Sequence, residues 1–172
     1  RETCIEPVVR QLRNQGTPYQ GVLYGGLMLT HEGPSIIEFN ARLGDPEAEF
    51  ILPRLQNDLL DVLEAVVDGD LENLNLRWSS EQVVGVVLAS AGYPGAYEIG
   101  ERIEGLGGDQ GLVFHAGTRE DGPTVITNGG RVITCVGRGK TLAQARDEAY
   151  ALAGSINFAG KQYRSDIASF AT

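Results

Sequence analysis

Between positions 37 and 47 the chain reads Ile37-Glu38-Phe39-Asn40-Ala41-Arg42-Leu43-Gly44-Asp45-Pro46-Glu47. An acid and an amide stand two residues apart in an apolar stretch, and an arginine follows at the same spacing. Alternate side chains of an extended strand share one face, so the spacing predicts that Glu38, Asn40 and Arg42 point the same way. Two hard oxygen donors beside a fixed cation suit Mg²⁺ and phosphate. Mg²⁺ takes few protein oxygens and keeps positions for water and substrate phosphates. The arginine can stabilise charge on a transferring phosphoryl group or an acyl phosphate. It can equally pair with Glu38 or Asp45 and hold the loop. Polar residues at a strand end also commonly face water with no further role. The acid inside Ile36-Ile37-Glu38-Phe39, with Asp45 and Glu47 directly after it, favours the phosphate reading.

The elements that must carry these residues follow from periodicity. Ile5, Val8, Val9 and Leu12 recur at helical spacing, which predicts a helix over 2–15 that Gly16 ends. Residues 20–29 predict a buried strand and 35–40 a second one. His31-Glu32-Gly33-Pro34 turns between them, so the acid and the amide lie at the far end of a hairpin. Pro46 suits the first position of a helix reaching Leu55, with Asp45 as its cap. A further helix over 58–68 would turn Leu59, Leu60, Leu63, Val66 and Val67 inward, with Asn57 as cap and Gly69 as terminator.

From about residue 77 the texture changes to short strands and turns, which puts a boundary near 77–80 and divides the chain into 1–78 and 79–172. Val83–Ser90, Gly111–Ala116, Thr124–Thr127 and Arg131–Gly137 read as strands, and Gly92-Tyr93-Pro94-Gly95 as a turn. Asn128-Gly129 is the strongest hairpin dipeptide in the chain. The last helix, over 142–156, would bury Leu142, Ala145, Ala149, Leu152 and Ile156. Thr141 and Gln144 would form its capping box. The fold class is thus α+β, with antiparallel strands and helices followed by a small mixed α/β domain.

Composition narrows the partners. The 172 residues carry a formal net charge of −9, which opposes non-specific nucleic-acid binding. A local cation and a few arginines can still receive an anionic substrate. Apolar content of 42 % is enough for a core. Apolar runs fall far short of the ~20 residues of a membrane span. Cys4 and Cys135 stand alone among apolar neighbours and read as buried free thiols in a reducing, cytoplasmic setting. The chain opens on Arg1 and runs almost directly into a helix, as expected of a piece of a longer polypeptide.

Three weaker motifs resolve as structure. Gly137-Arg138-Gly139-Lys140-Thr141 resembles a P-loop, but that pattern requires glycine where Thr134 stands. A strand, a turn and a capping threonine explain it better. Gly105-Leu106-Gly107-Gly108 reads as a turn. His31 and His115 have no Cys or His at zinc-ligand spacing.

The chain carries a family likeness in Tyr24-Gly25-Gly26-Leu27-Met28-Leu29, Glu38 through Glu47, Leu52-Pro53-Arg54-Leu55 and Asp58-Leu59-Leu60. It continues through Ala91-Gly92-Tyr93-Pro94-Gly95, Phe114-His115-Ala116-Gly117-Thr118, Thr127 through Val132, and Tyr163 through Ile167. In these motifs the chain resembles the phosphoribosylamine–glycine ligases, the glycinamide ribonucleotide synthetases of purine biosynthesis, which are ATP-grasp enzymes. The resemblance implies that 1–78 is the carboxy-terminal part of an ATP-grasp domain and 79–172 the family's carboxy-terminal domain. It implies ATP, glycine and 5-phosphoribosylamine as substrates and Mg²⁺ or Mn²⁺ as cofactor. Glu38 and Asn40 would hold the metal and, through it, the ATP phosphates. Arg42 would stabilise the acyl phosphate, and Arg42, Gly44 and Asp45 would line the substrate site. Many ATP-grasp carboxylases carry a second metal-binding acid about where Gly26 stands. The resemblance also implies an amino-terminal part of the same polypeptide that holds most of the nucleotide pocket, so the fragment alone would be inactive. Two other readings remain: another ATP-grasp ligase or carboxylase of purine metabolism, and a non-catalytic binding module of the same fold.

Overall fold

The computed structural model describes residues 2–107 and 111–171. Gly108, the last residue of the expected Gly105–Gly108 turn, lies outside them. The chain forms two units, one of residues 1–48 and 55–78, the other of residues 49–54 and 79–172.

In the first unit, α1 (Ile5–Asn14) is the expected amphipathic helix, with Ile5, Val8, Val9 and Leu12 half-buried. Strands β1 (Tyr24–Thr30) and β2 (Gly33–Asn40) form an antiparallel hairpin. β1 is not the buried strand expected: Met28 is 56 % and Leu29 82 % exposed. A two-stranded ribbon with little packed on it covers few of its own side chains. Helix α2 (Glu47–Ile51), which belongs to the second unit from Glu49 onward, is shorter than predicted and tightens into a 3₁₀ turn over Leu52–Arg54. Pro53 has no N–H to continue the α-helical ladder, which accounts for the change of pitch.

Helix α3 (Leu59–Asp68) ends at Gly69 in the left-handed conformation, as expected. Its cap is Asp58, not Asn57: Asp58 Oδ1 accepts from Leu60 N at 2.8 Å. Asn57 is used instead to tie 57 to 75–77, donating to Asn75 O and accepting from Arg77 N at 2.6 Å. Gln20 Nε2 donates to the carbonyls of Val66 and Val67 at the end of the helix. The apolar face of α3 has two stripes. Leu59, Val62 and Val66 are half-buried, whereas Leu60, Leu63 and Val67 stay 62, 42 and 73 % exposed. The inward direction expected of those three is therefore not met within this unit.

The second unit holds the core. Strands β3 (Gln82–Ala89), β4 (Leu112–His115) and β7 (Arg131–Gly139) form an antiparallel sheet in the order β3-β7-β4. Helix α4 (Leu142–Ser155) lies across it and buries Ala145, Ala149, Leu152 and Ala153 against Val86, Leu88, Val132, Ile133 and Cys135. The capping box is present, with Thr141 Oγ1 accepting from Gln144 N and Gln144 Oε1 from Thr141 N. The glycines that resembled a P-loop have a packing role. A Cβ at Gly139 would stand 2.6 Å from Gln144 Cβ and 2.8 Å from Ala145 N, and one at Gly137 would overlap the Ala145 carbonyl. Both let the helix backbone lie directly on the strand.

Asn128-Gly129 does not close a hairpin. Strand β6 (Thr124–Thr127) pairs with β5 (Thr118–Asp121), not with β7. The dipeptide serves a chain crossing: Asn128 N donates to Gly117 O at 2.7 Å, and Ser90 Oγ to Gly129 O at 2.9 Å. A Cβ on Gly129 would come within 2.9 Å of Gly117 Cα, so the two backbones pass where side chains cannot fit. The β5–β6 turn is instead Gly122-Pro123, after Asp121. Both thiols are buried and free. Burial pushes the Cys135 thiol up to about 12, with Lys161 pulling weakly the other way. Among the described residues no helix is long and apolar enough to cross a membrane.

Candidate active site

The first unit brings the sequence's acid and amide together. Asn40 Nδ2 donates to Glu38 Oε1 at 2.9 Å, on one face of β2. Across the hairpin, Tyr24 stands opposite Asn40 and Gly26 opposite Glu38. The register then slips, so that Leu27 faces Ile36 and Ile37 is an extra residue. Such a bulge twists a strand and re-aims the side chains beside it. Glu38 therefore stands at the irregularity, with glycine as its cross-strand neighbour. A Cβ at Gly26 would come 3.3 Å from Glu38 Cγ, so a side chain there would displace Glu38 by a few tenths of an ångström.

Strand β2 ends at Asn40, and alternation no longer sets the direction of Arg42. Arg42 is exposed in the bend that follows, and its Nη1 donates to Leu43 O at 2.8 Å. Gly44 is buried, and its carbonyl accepts from Ala48 N at 3.0 Å. Asp45 and Pro46 form a turn joined by a cis peptide. Helix α2 starts at Glu47, one residue later than the position expected for Pro46.

Two residues that periodicity did not single out complete the arrangement. The Tyr24 hydroxyl donates to Glu47 Oε1 at 2.9 Å. That bond, then burial, then the charges of Glu47 and Glu38, hold the Tyr24 phenol above its usual range. The available signal was the register: a hairpin pairing Gly26 with Glu38 sets Tyr24 against Asn40 on the same face.

The donor set fits a divalent cation of the magnesium kind. With bonds of 2.0–2.1 Å, neighbouring ligands of an octahedral ion are about 2.9 Å apart. The Asn40 amide and the Glu38 carboxylate have that separation. A half-turn of the amide exchanges Nδ2 for Oδ1 and presents two oxygens in place of a donor–acceptor pair. Glu38 is exposed and Asn40 half-buried, so the remaining positions of such an ion would face water or phosphate. Among the described residues no group of three or more His, Cys, Asp or Glu is placed to hold a metal ion, around Glu38 or elsewhere.

Comparison with known proteins places the chain in a family. Residues 83–170 match the model of the phosphoribosylglycinamide synthetase C domain, and residues 1–48 match that of the phosphoribosylglycinamide synthetase ATP-grasp (A) domain. The chain is 47 % identical over 169 residues to a phosphoribosylamine–glycine ligase of Caldanaerobacter subterraneus, covering 98 % of this chain and 40 % of that protein. It is 46 % identical over 171 residues to the trifunctional purine biosynthetic protein adenosine-3 of Gallus gallus, covering 97 % of this chain and 17 % of that one. The crystal structure of phosphoribosylamine–glycine ligase from Thermotoga maritima superposes with a TM-score of 0.77 at 41 % identity, over 91 % of this chain and 39 % of that one. The chain thus spans about two-fifths of the length of the single-function relatives it matches. With the C-domain model covering just over half of its length, and a mixed α/β architecture of antiparallel sheets shared with the solved structure, the chain belongs to the phosphoribosylglycinamide synthetase family.

Proposed function

We propose that this chain is the carboxy-terminal portion of a phosphoribosylamine–glycine ligase, an ADP-forming carbon–nitrogen ligase of cytoplasmic purine biosynthesis. Residues 1–78 are read as the last part of an ATP-grasp domain and residues 79–172 as the carboxy-terminal domain. The observation that carries the reading is the Glu38–Asn40 pair, two oxygen-bearing side chains 2.9 Å apart in a segment that matches the family's ATP-grasp domain. The rest of the nucleotide pocket is assigned to an amino-terminal part of the same polypeptide.

The reaction joins glycine to 5-phosphoribosylamine. The glycine carboxylate attacks the γ-phosphorus of ATP, giving glycyl phosphate and ADP. The amine then attacks the acyl carbon, expels phosphate and loses a proton to form the amide. A carboxylate is a poor acyl donor at neutral pH, so ATP supplies the leaving group. Catalysis in such transfers is mostly positioning and charge stabilisation. Glu38 and Asn40 would hold Mg²⁺ or Mn²⁺, which neutralises charge on the transferring phosphate when bound. Arg42, exposed in the bend that follows the strand, would meet the negative charge of the acyl phosphate. Gly44 and Asp45 would present the turn against which the small substrate lies.

The test is ADP formation by the complete polypeptide that carries this segment. Turnover that requires glycine and 5-phosphoribosylamine together supports the reading. Turnover with bicarbonate in place of glycine would replace it with a carboxylase, and no ATP turnover would leave a binding module.

A further inference from the structure

We infer that Tyr24 and Glu47 form a latch that fixes the Arg42–Asp45 turn against the hairpin, with both acting as positioning residues for the glycine side of the site. The inference rests on the functional reading above. Glu47 is held at two points. Its Oε1 accepts from the Tyr24 hydroxyl at 2.9 Å. Its side chain also lies along Gly44, where an added Cβ would overlap the carboxylate and come within 2.9 Å of Glu47 Cβ and Cδ. The carbonyl of Gly44 accepts from Ala48 N, which closes the turn into the start of α2. A side chain anchored on β1 thus grips the residue that lies against the turn, and the turn begins after Asn40, the last residue of β2.

Glu38 and Asn40 are differently secured. They sit in β2, paired with Gly26 and Tyr24 through the backbone of the hairpin. Loss of the latch should therefore disturb the turn and spare the metal-facing pair. The bond needs a phenolic O–H at Tyr24 and an acceptor oxygen on the side chain at position 47.

The experiment uses the complete polypeptide with Tyr24→Phe, Glu47→Ala, Glu47→Gln and the double variant Tyr24→Phe/Glu47→Ala. KM for glycine, kcat, and the free Mg²⁺ giving half-maximal rate are measured for each. Tyr24→Phe and Glu47→Ala should raise KM for glycine at least tenfold and leave the Mg²⁺ requirement within twofold. Glu47→Gln keeps an acceptor oxygen and should stay within threefold of the parent. The double variant should be no worse than either single one. A wild-type KM for glycine in both Tyr24→Phe and Glu47→Ala would overturn the latch. So would a uniform loss across glycine, kcat and Mg²⁺ that Glu47→Gln does not rescue. If Tyr24→Phe does not fold, the contrast of Glu47→Ala with Glu47→Gln decides. A parent polypeptide with no glycine-dependent turnover would instead refute the functional reading.

Discussion

Replacing Asn40 by aspartate turns a neutral partner of Glu38 into a second carboxylate at the same place. The parent separation is 2.9 Å. Two unit charges that far apart in water repel by about 1.4 kcal/mol, close to one pKa unit. Water is the right medium, because Glu38 is exposed and Asn40 only half-buried. Physiological salt, with a Debye length of about 8 Å, lowers the figure to about 1 kcal/mol. Without metal, Asn40→Asp therefore sets two carboxylates against each other at the same place. A divalent cation between them removes the repulsion and adds a second anionic ligand. The free Mg²⁺ needed for half-maximal ADP formation, titrated at fixed MgATP in the complete polypeptide, should fall about tenfold or more. Asn40→Leu keeps the bulk without an oxygen and should raise it. An unchanged Mg²⁺ requirement in both variants would refute the argument that an ion bridges these two side chains.

Three further outcomes follow from other parts of the molecule. The 172-residue chain alone should show no glycine-dependent ATP turnover, since the nucleotide pocket is assigned to an upstream part; measurable ADP release would contradict that division. The thiol of Cys135, raised from 9.0 to about 12 by burial, favours folding below pH 9 and loses that contribution as pH climbs through 12. At pH 8.5 iodoacetamide should label Cys135 only after denaturant unfolds the second unit, as peptide mass mapping would show. Thr141→Ala removes one arm of the capping box on α4 and should cost about 1 kcal/mol in urea unfolding, with Thr141→Ser recovering most of it.

Local chemistry was legible where it is satisfied locally. Thr141 and Gln144 bond to each other's backbone within one turn, and no distant contact competes. The hairpin carrying Glu38 and Asn40 was legible because apolar runs flank a tight turn. The failures have a common cause in tertiary competition. Asn128-Gly129 has a hairpin composition, but Ser90 and Gly117 claim its backbone groups. Asn57 suits a cap, but Asn75 and Arg77 use both ends of its amide. The second stripe of α3 has inward composition with nothing in its own unit to bury it, and periodicity reports a face without its partner.

The candidate site divides the same way. Period two joined Glu38 to Asn40 correctly, because both lie inside one strand. It stopped at Arg42, where the strand had ended. The Tyr24–Glu47 contact links residues 23 apart in sequence, one on β1 and one opening α2, and no local period connects them. Only the hairpin register and the return of the chain after Pro46 bring them together.

The most direct measurement is the rate of ADP formation by the complete polypeptide carrying Glu38→Ala, at saturating glycine and 5-phosphoribosylamine, with Mg²⁺ varied. Glu38 supplies the only charged ligand of the proposed pair. Its removal should lower turnover at least a hundredfold and raise the Mg²⁺ requirement, with the melting temperature little changed because the side chain is exposed. A Glu38→Ala enzyme with the parent's rate and the parent's Mg²⁺ dependence would contradict the assignment of this pair as the metal site.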